Sequence, residues 1–179
     1  MESIDVLDKN GNLVGLTKSR DEIHRDGDWH RAVNIWIKNN HGDVLVQKRS
    51  AMIDLFKNRW DVSLTGHVRA GEKNTDAAQR ELKEELGIET DARELQFIDT
   101  IKSKLKDGVL RDNQFCDIYL LCGDINFKKV KKQKEEVAQT KSVPLAKLET
   151  FIQKNSDNFV PRREEYKKML RYLQSNFKL

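Results

Sequence analysis

A segment near the middle of the chain, residues 75–86, carries the strongest structural signal in the sequence. Its apolar residues Ala78, Leu82 and Leu86 recur every fourth position, so that on a helix they form one narrow stripe. Gly87 follows directly, where a left-handed residue commonly ends a helix. The pattern predicts a helix that packs this stripe against a hydrophobic core.

Three glutamates, Glu81, Glu84 and Glu85, lie on one flank of that stripe, within an arc of about 100° by helical geometry. Like charges at these spacings repel and weaken an isolated helix by a few tenths of a kcal/mol per pair. A bound hard divalent cation would make this clustering favourable, because such a cation binds carboxylate oxygens and commonly bridges to substrate phosphates. The glutamates alone fit either a solvated acidic face or a cation site.

The residues that precede the helix favour the cation site. Gly66 ends a predicted strand at a tight loop, where its bare backbone allows a carbonyl oxygen to approach a metal ion. Glu72 lies in the loop, and Arg80 can pair with it and tie the loop to the helix. Loop, arginine and glycine together therefore predict a magnesium site rather than a solvated face.

Short apolar or alternating runs predict strands on both sides of this helix. The predicted strands are Ile4–Leu7, Leu13–Leu16, Ala32–Lys38, Val44–Arg49, Trp60–Val68, Leu95–Lys102, Gln114–Cys122 and Glu136–Val143. Two further helices are expected, one from Pro144 to about Lys154 and one that begins at Pro161. The first two strands form a hairpin, and strands interleaved with few helices predict an α/β fold with a mixed sheet between helices.

Composition excludes several classes of protein. The chain has 179 residues, 35% of them charged, and a mean hydropathy of −0.74, yet its recurrent apolar runs exclude a disordered chain. No run approaches the roughly 18 to 20 apolar residues that a membrane span needs. Met1–Asp5 resembles no signal or transit peptide, so we expect a cytoplasmic protein. Cys116 and Cys122 are too far apart along one strand to bridge, and we expect buried free thiols.

The net charge of +4 does not by itself identify a partner. Basic residues are dispersed among 29 acidic ones, and the one cluster, Lys128–Lys134, is typical of a solvated loop. Nucleic acid is therefore not the expected partner, whereas a basic surface also suits a phosphorylated small molecule.

The residues from Gly66 to Ile88 resemble a complete Nudix box. The match is Gly66-x5-Glu72-x7-Arg80-Glu81-Leu82-x-Glu84-Glu85-x-Gly87-Ile88, and all nine constrained positions are present. The resemblance implies the Nudix α/β/α sandwich, here with an N-terminal β-hairpin extension. It also implies a Mg²⁺-dependent hydrolase, with Mn²⁺ as a possible substitute, that cleaves a diphosphate linkage in a nucleoside diphosphate derivative or related phosphorylated small molecule.

By this resemblance, the metal ligands are Glu81, Glu84, Glu85 and the Gly66 carbonyl. The catalytic set is Glu72, Arg80, Glu81, Glu84 and Glu85. The base that accepts a proton from the attacking water is one of these glutamates or a carboxylate from a later loop, for which Asp112 and Asp117 are candidates. Because neighbouring carboxylates raise one another's pKa, activity should rise toward alkaline pH.

A second set of residues resembles the Nudix branch that contains type 1 isopentenyl-diphosphate isomerase. These residues are His24-x5-His30-Arg31-Ala32, Trp36, Gln47-Lys48-Arg49-Ser50, Trp60 and Gly66-His67. Those isomerases bind one metal through histidines and glutamates, and move a proton with a cysteine and a glutamate. Thr65 and Gln114 stand where these two are expected, and neither is suited to that role. A hydrolase is therefore favoured, with isopentenyl-diphosphate isomerase as the alternative.

Five further residues are candidates for substrate binding. Lys48 and Arg49 end a strand with side chains on opposite faces, so that one of them can contact phosphate. His24, His30 and His67 can form a second metal or phosphate site, although each histidine alone is more often structural.

The expected organisation is one domain over residues 1–179. It comprises an N-terminal extension (1–30), a catalytic core (31–160) and a C-terminal helix (161–179). Substrate specificity is expected to come from loops such as Ala51–Asn58 and Lys102–Asp112, and the N-terminal hairpin could serve as a homodimer contact.

Overall fold

The computed structural model describes residues 2–177, so the first residue and the last two of the expected domain lie outside the described residues. Within that range the nine strands are β1 (Ser3–Leu7), β2 (Leu13–Ser19), β3 (Trp29–Asn39), β4 (Asp43–Arg49), β5 (Trp60–Asp61), β6 (Leu64–His67), β7 (Leu95–Asp107), β8 (Leu110–Gly123) and β9 (Val137–Pro144). The four α-helices there are α1 (Arg20–Asp26), α2 (Asn74–Leu86), α3 (Leu145–Lys154) and α4 (Arg163–Asn176). No helix among the described residues is long and apolar enough to cross a membrane.

Strand β3 lies at the centre of the sheet. It pairs in parallel with β8 along its whole length, from Trp29 opposite Asn113 to Asn39 opposite Gly123. On its other edge it pairs antiparallel with β6 and, at one position, with β4, and β4 in turn pairs with β9. Strands β7 and β8 form a long antiparallel hairpin. The predicted mixed sheet is confirmed.

The two faces of β3 belong to two separate cores. Val33, Ile35 and Ile37 point toward α2, where they meet the predicted stripe of Ala78, Leu82 and Leu86. Trp36 points the other way, into a cluster that includes residues of α3 and α4. Alternation with period two sends successive side chains to opposite faces, so one strand serves both layers. The α/β/α sandwich is confirmed.

The N-terminal hairpin forms as predicted, and a short helix not predicted from the sequence packs against it. Ile4 and Val6 of β1 contact Ile23 of α1. Ser19 caps α1 in a capping box with Glu22, a signal present in the sequence but outweighed by the polar composition of this segment. The helix matters for function because it buries His24.

Several predicted boundaries were wrong. The strand expected over Trp60–Val68 is interrupted at Val62 and Ser63, where the Ser63 hydroxyl, rather than a strand neighbour, accepts from Ile37 N and donates to the Leu45 carbonyl. The segment 102–112, expected as a loop, consists mostly of the paired ends of β7 and β8. Helix α4 begins two residues after Pro161.

Both cysteines are free thiols, as predicted, but Cys122 is exposed rather than buried.

Candidate functional site

A cavity of about 210 Å³ lies between α2, the ends of β4, β6 and β8, and the start of α4. Leu55 contributes the one apolar side chain among the described residues that line it. The predicted site residues that line the cavity are His24, Arg49, Gly66, His67, Arg80, Glu81, Glu84 and Glu85. Residues His30, Lys48 and Glu72, also predicted, lie outside its lining. The cavity therefore suits a highly polar ligand.

The glutamates of α2 form one wall of the cavity. Glu81 and Glu85 are buried, whereas the Glu84 side chain is 44% exposed. Burial raises the pKa of Glu81 to about 7, against the opposing effect of Arg80. Burial, reinforced by Glu81 and Glu136, raises the pKa of Glu85 well above its usual value. Two carboxyl groups with raised pKa values in one wall fit a cation site, because a bound cation would stabilise their charged forms.

Gly66 allows this wall to pack closely on the sheet. It lies in β6 opposite Val33, and a Cβ atom at this position would be 2.3 Å from Glu81 Cγ and 2.6 Å from Glu81 Cδ. Its backbone is not left-handed, so the glycine is required by close approach rather than by a turn.

Arg80 connects the loop to the helix, as predicted from the sequence. Its Nε and Nη2 atoms donate to the two carboxylate oxygens of Glu72 at 2.8 and 2.9 Å. Nη2 also donates to the His67 carbonyl, and Nη1 donates to Glu81 at 2.8 Å. Arg80 and Glu72 therefore hold the glutamate wall against β6, and Glu72 itself does not line the cavity.

The three predicted histidines converge beside the glutamates. Their ligand atoms all lie within 4.8 Å of one another, and among the described residues this is the one such group of three potential metal ligands. His24 Nε2 is 3.2 Å from His67 Nε2, and His30 Nε2 is 3.4 Å from Asp112 Oδ1. The glutamates of α2 are not grouped as closely.

The donor set at the histidines fits a metal ion better than a phosphate. His30 Nε2 and Asp112 Oδ1 lie 3.4 Å apart, at the long limit of a hydrogen bond, and neither buried atom has another hydrogen-bond partner in the described part of the chain. Burial lowers the pKa of His24 to about 4, so its imidazole is neutral at pH 7. Neutral imidazole is the form that binds a metal, and a carboxylate such as Asp112 would repel phosphate.

Of the two basic residues at the end of β4, only Arg49 lines the cavity. It is 9% exposed, donates from Nη1 to Thr65 Oγ1 at 3.0 Å, and donates from Nε to the Leu55 carbonyl. Lys48, the preceding residue, does not line the cavity. The sequence indicated that one of these two basic residues contacts the site, but it did not indicate which one.

The two candidate carboxylates outside the Nudix box differ in their position relative to the cavity. Asp112 lines the cavity beside the histidines. Asp117 lies elsewhere, where it accepts hydrogen bonds from Thr100 Oγ1 and from Asn74.

Several charged or polar lining residues were not predicted from the sequence, among them Arg20, Gln133, Glu136 and Arg162. Glu136 pairs with Arg20 at 3.4 Å. The basic segment predicted to be a solvated loop brings Glu136 there, because Gln133 N donates to the Glu85 carbonyl at the end of α2. No local sequence signal marks these residues.

A family model described as the NUDIX domain matches residues 28–163, which is more than half of the chain. The chain belongs to the Nudix hydrolase family. Nudix hydrolases cleave pyrophosphate bonds in nucleoside diphosphate derivatives and generally require a divalent metal ion. A cavity lined by both carboxylates and arginines is consistent with this family chemistry.

Relatives include both hydrolases and isomerases. Nudix hydrolase 3 of Arabidopsis thaliana is 40% identical over 165 residues, which cover 89% of this chain but only 21% of that protein. A Nudix hydrolase of Clostridium acetobutylicum is 34% identical over 87% of this chain and 76% of its own. An isopentenyl-diphosphate Delta-isomerase of Serratia proteamaculans is 32% identical over 66% of this chain and 65% of its own. The predicted branch of the family is confirmed.

Among solved structures, DR0079 from Deinococcus radiodurans has a TM-score of 0.67 at 21% identity. The superposition covers 99% of this chain and 100% of that one. This likeness shows that the fold extends beyond the segment matched by the family model.

Proposed function

We propose that this Nudix hydrolase is a Mg²⁺-dependent enzyme that cleaves a diphosphate linkage in a nucleoside diphosphate derivative or related phosphorylated small molecule. The observation that carries the proposal is one cavity with Glu81, Glu84 and Glu85 in one wall and buried Arg49 in another. Both features suit a diphosphate group, because a metal ion held by the glutamates and a guanidinium can each bind some of its negatively charged oxygens.

The residues of the wall have separate proposed roles. Glu81, Glu84 and Glu85, with the Gly66 carbonyl, would hold Mg²⁺ or Mn²⁺. A bound ion supplies Lewis-acid stabilisation of negative charge that develops on the phosphate oxygens. Arg80 and Glu72 position the wall through their paired hydrogen bonds.

Glu136 is our candidate for the base that accepts a proton from the attacking water. It is a carboxylate outside the box that lines the cavity, and its charge acts on Glu85. Asp112 faces the histidines and is less available for this role.

The test uses glutamine substitutions and a panel of substrates. Glu84→Gln and Glu85→Gln should each abolish turnover of nucleoside di- and triphosphates, dinucleotide polyphosphates, nucleotide sugars or prenyl diphosphates with Mg²⁺ or Mn²⁺. Glu89→Gln is the matched control, because Glu89 is exposed and pairs with Lys83 outside the cavity. Full activity in the first two variants, with a native circular dichroism spectrum, would exclude the proposed metal site.

Isomerase activity is disfavoured by the positions of Thr65 and Gln114. Thr65 accepts a hydrogen bond from Arg49, and Gln114 accepts one from Arg162. Neither titrates near neutral pH. Among residues 2–177, Leu55 contributes the one apolar side chain of the cavity, which offers little surface for a prenyl group. Incubation with isopentenyl diphosphate, followed by separate assays for the allylic isomer and for released phosphate, distinguishes the two reactions.

We further propose that the N-terminal hairpin forms a contact between two copies of the chain. Strand β2 lies at one end of the sheet, and Leu13, Val14 and Leu16 are exposed along it. An edge strand with exposed apolar side chains is a ready partner for a second strand. Light scattering after gel filtration should show a dimer for the wild type and a monomer for Leu16→Lys.

A further inference from the structure

Arg162 is a buried cation that the segment before α4 brings to the cavity. The residue is 7% exposed and has φ −85° and ψ 50°, outside the helical range, directly before the first turn of α4. Its Nε atom donates to Asp61 Oδ1 at 3.2 Å, and its Nη1 atom donates to Gln114 Oε1 at 3.3 Å. Its Nη2 atom has no hydrogen-bond partner within residues 2–177. The guanidinium is therefore fixed on one side and available on the other.

Two arginines share one buried carboxylate on this side of the cavity. Asp61 is fully buried, lies 3.2 Å from Arg162 Nε and 3.5 Å from Arg49 Nη1, and also accepts from Val62 N. Both guanidinium groups remain charged at any relevant pH. One carboxylate cannot neutralise two cations, so Asp61 and the two guanidinium groups together carry one excess positive charge. Asp112 also acts on Arg162, but its carboxylate lies beside His24 and His30.

Glu165 does not remove that excess. Its carboxylate accepts from Asn34 Nδ2 at 2.7 Å and from Trp36 Nε1 at 2.9 Å, so both oxygens are engaged, and Glu165 does not line the cavity. Burial raises the pKa of Glu165 to about 7, against the effect of Arg162, so it is partly protonated at neutral pH.

Gln114 keeps the Arg162 charge available. Gln114 is buried and stands where the isomerase resemblance implies a glutamate. A carboxylate at this position would form an ion pair with Arg162 Nη1, whereas the amide oxygen accepts the same hydrogen bond without charge. A chain with glutamine here therefore leaves the guanidinium free to bind an anion.

We propose that Arg162, together with Arg49, forms a phosphate-binding subsite in this cavity, which holds oxygens of the diphosphate group. This inference rests on the proposed hydrolase function and names a residue outside the Nudix box as part of substrate binding. Asp61 is a positioning residue, since it orients both guanidinium groups and is itself sealed from the cavity.

Isothermal titration of the full-length protein with inorganic pyrophosphate, in the presence of Mg²⁺, tests the proposal. Loss of one charge-assisted contact should weaken pyrophosphate binding by about tenfold or more in Arg162→Gln. Arg163→Gln is the matched control, because the neighbouring arginine is exposed, and it should bind as the wild type does. Equal affinity in Arg162→Gln and Arg163→Gln would overturn the subsite, as would a wild type that does not bind pyrophosphate.

Two further variants guard against a folding defect in Arg162→Gln. Asp61→Asn combined with Arg162→Gln removes both buried charges and should bind as weakly as Arg162→Gln. Gln114→Glu keeps Arg162 in place and should weaken binding at pH 8 by pairing with it. Unchanged affinity in Gln114→Glu would overturn the charge argument. If binding depends on Arg162 while Glu84→Gln retains full turnover, the proposed function fails and the subsite stands.

Discussion

Replacing Gly66 with alanine should disrupt the site through a single steric conflict. The new Cβ atom would lie 2.3 Å from Glu81 Cγ and 2.8 Å from Glu81 Oε1, well inside van der Waals contact. The backbone of β6 cannot retreat freely, because Gly66 is paired with Val33 of the central strand. The Glu81 side chain would have to leave its position and its 2.8 Å contact with Arg80.

Forced overpacking of this kind costs about 1–3 kcal/mol of unfolding free energy. For a chain of this length, each kcal/mol corresponds to about 2–4 °C in Tm. Urea unfolding of the metal-free protein measures the first quantity, and Mg²⁺-dependent turnover should fall in parallel as Glu81 moves. Gly123→Ala is the control, because its Cβ would meet its nearest neighbour, Ile125 Cγ1, at an ordinary 3.8 Å.

A double-mutant cycle isolates the conflict. In a Glu81→Ala background the obstructing atoms are gone, so most of the cost of Gly66→Ala should disappear, and the cycle should give an interaction energy of about 0.5–3 kcal/mol between these contacting residues. Glu81→Gln is a poor substitute, because its side chain fills the same space. If Gly66→Ala costs the same in both backgrounds, Glu81 is not the reason for the glycine, and the close approach of wall and sheet is refuted.

Three further outcomes follow from the same geometry. Burial places the folded pKa of Glu81 at about 7, above its ordinary 4.5, so its contribution to stability is complete below about pH 4.5 and is lost as pH rises through 7. The unfolding free energy of the metal-free protein should therefore fall between pH 5 and 8 and recover when Mg²⁺ is added at pH 8, and a flat profile would refute the assignment. Arg80→Lys should lower the unfolding free energy by about 1–3 kcal/mol in urea, because lysine cannot replace both hydrogen bonds to Glu72; an unchanged midpoint would mean that Arg80 does not hold the loop. His24→Ala should reduce the visible absorption of Co²⁺ added to the protein by removing the part due to ions bound at the histidines, whereas His41→Ala, at an exposed histidine, should not change it; identical spectra would mean that the histidines bind no metal.

The predicted α2 illustrates what can be inferred locally. The spacing of Ala78, Leu82 and Leu86 repeats with the helical period, so the stripe, the glutamates beside it and the end of the helix at Gly87 follow from the sequence alone. The pairing of Arg80 with Glu72 also follows, because both residues lie within one short segment. The alternation in β3 likewise assigns Val33 and Trp36 to opposite faces, since a strand has a side-chain period of two.

The other residues that line the cavity could not be predicted in this way. Arg162 and Glu136 lie far along the chain from the box. Glu136 follows a charged, exposed segment, and Arg162 lies among other charged residues, so neither stands out from its neighbours in the sequence. Helix α1, which brings His24 to the site, is too short and polar for its periodicity to stand out.

The sequence by itself determined the family, the layers of the fold and the residues of the glutamate wall, because these depend on local periodicity and on fixed spacing within one segment. The tertiary structure decided which residues face that wall. It selected Arg49 over Lys48 and Asp112 over Asp117, and it added Arg162. The physical reason is that residues distant in sequence meet only where the packing of strands and helices brings them together, and no short-range pattern records that contact.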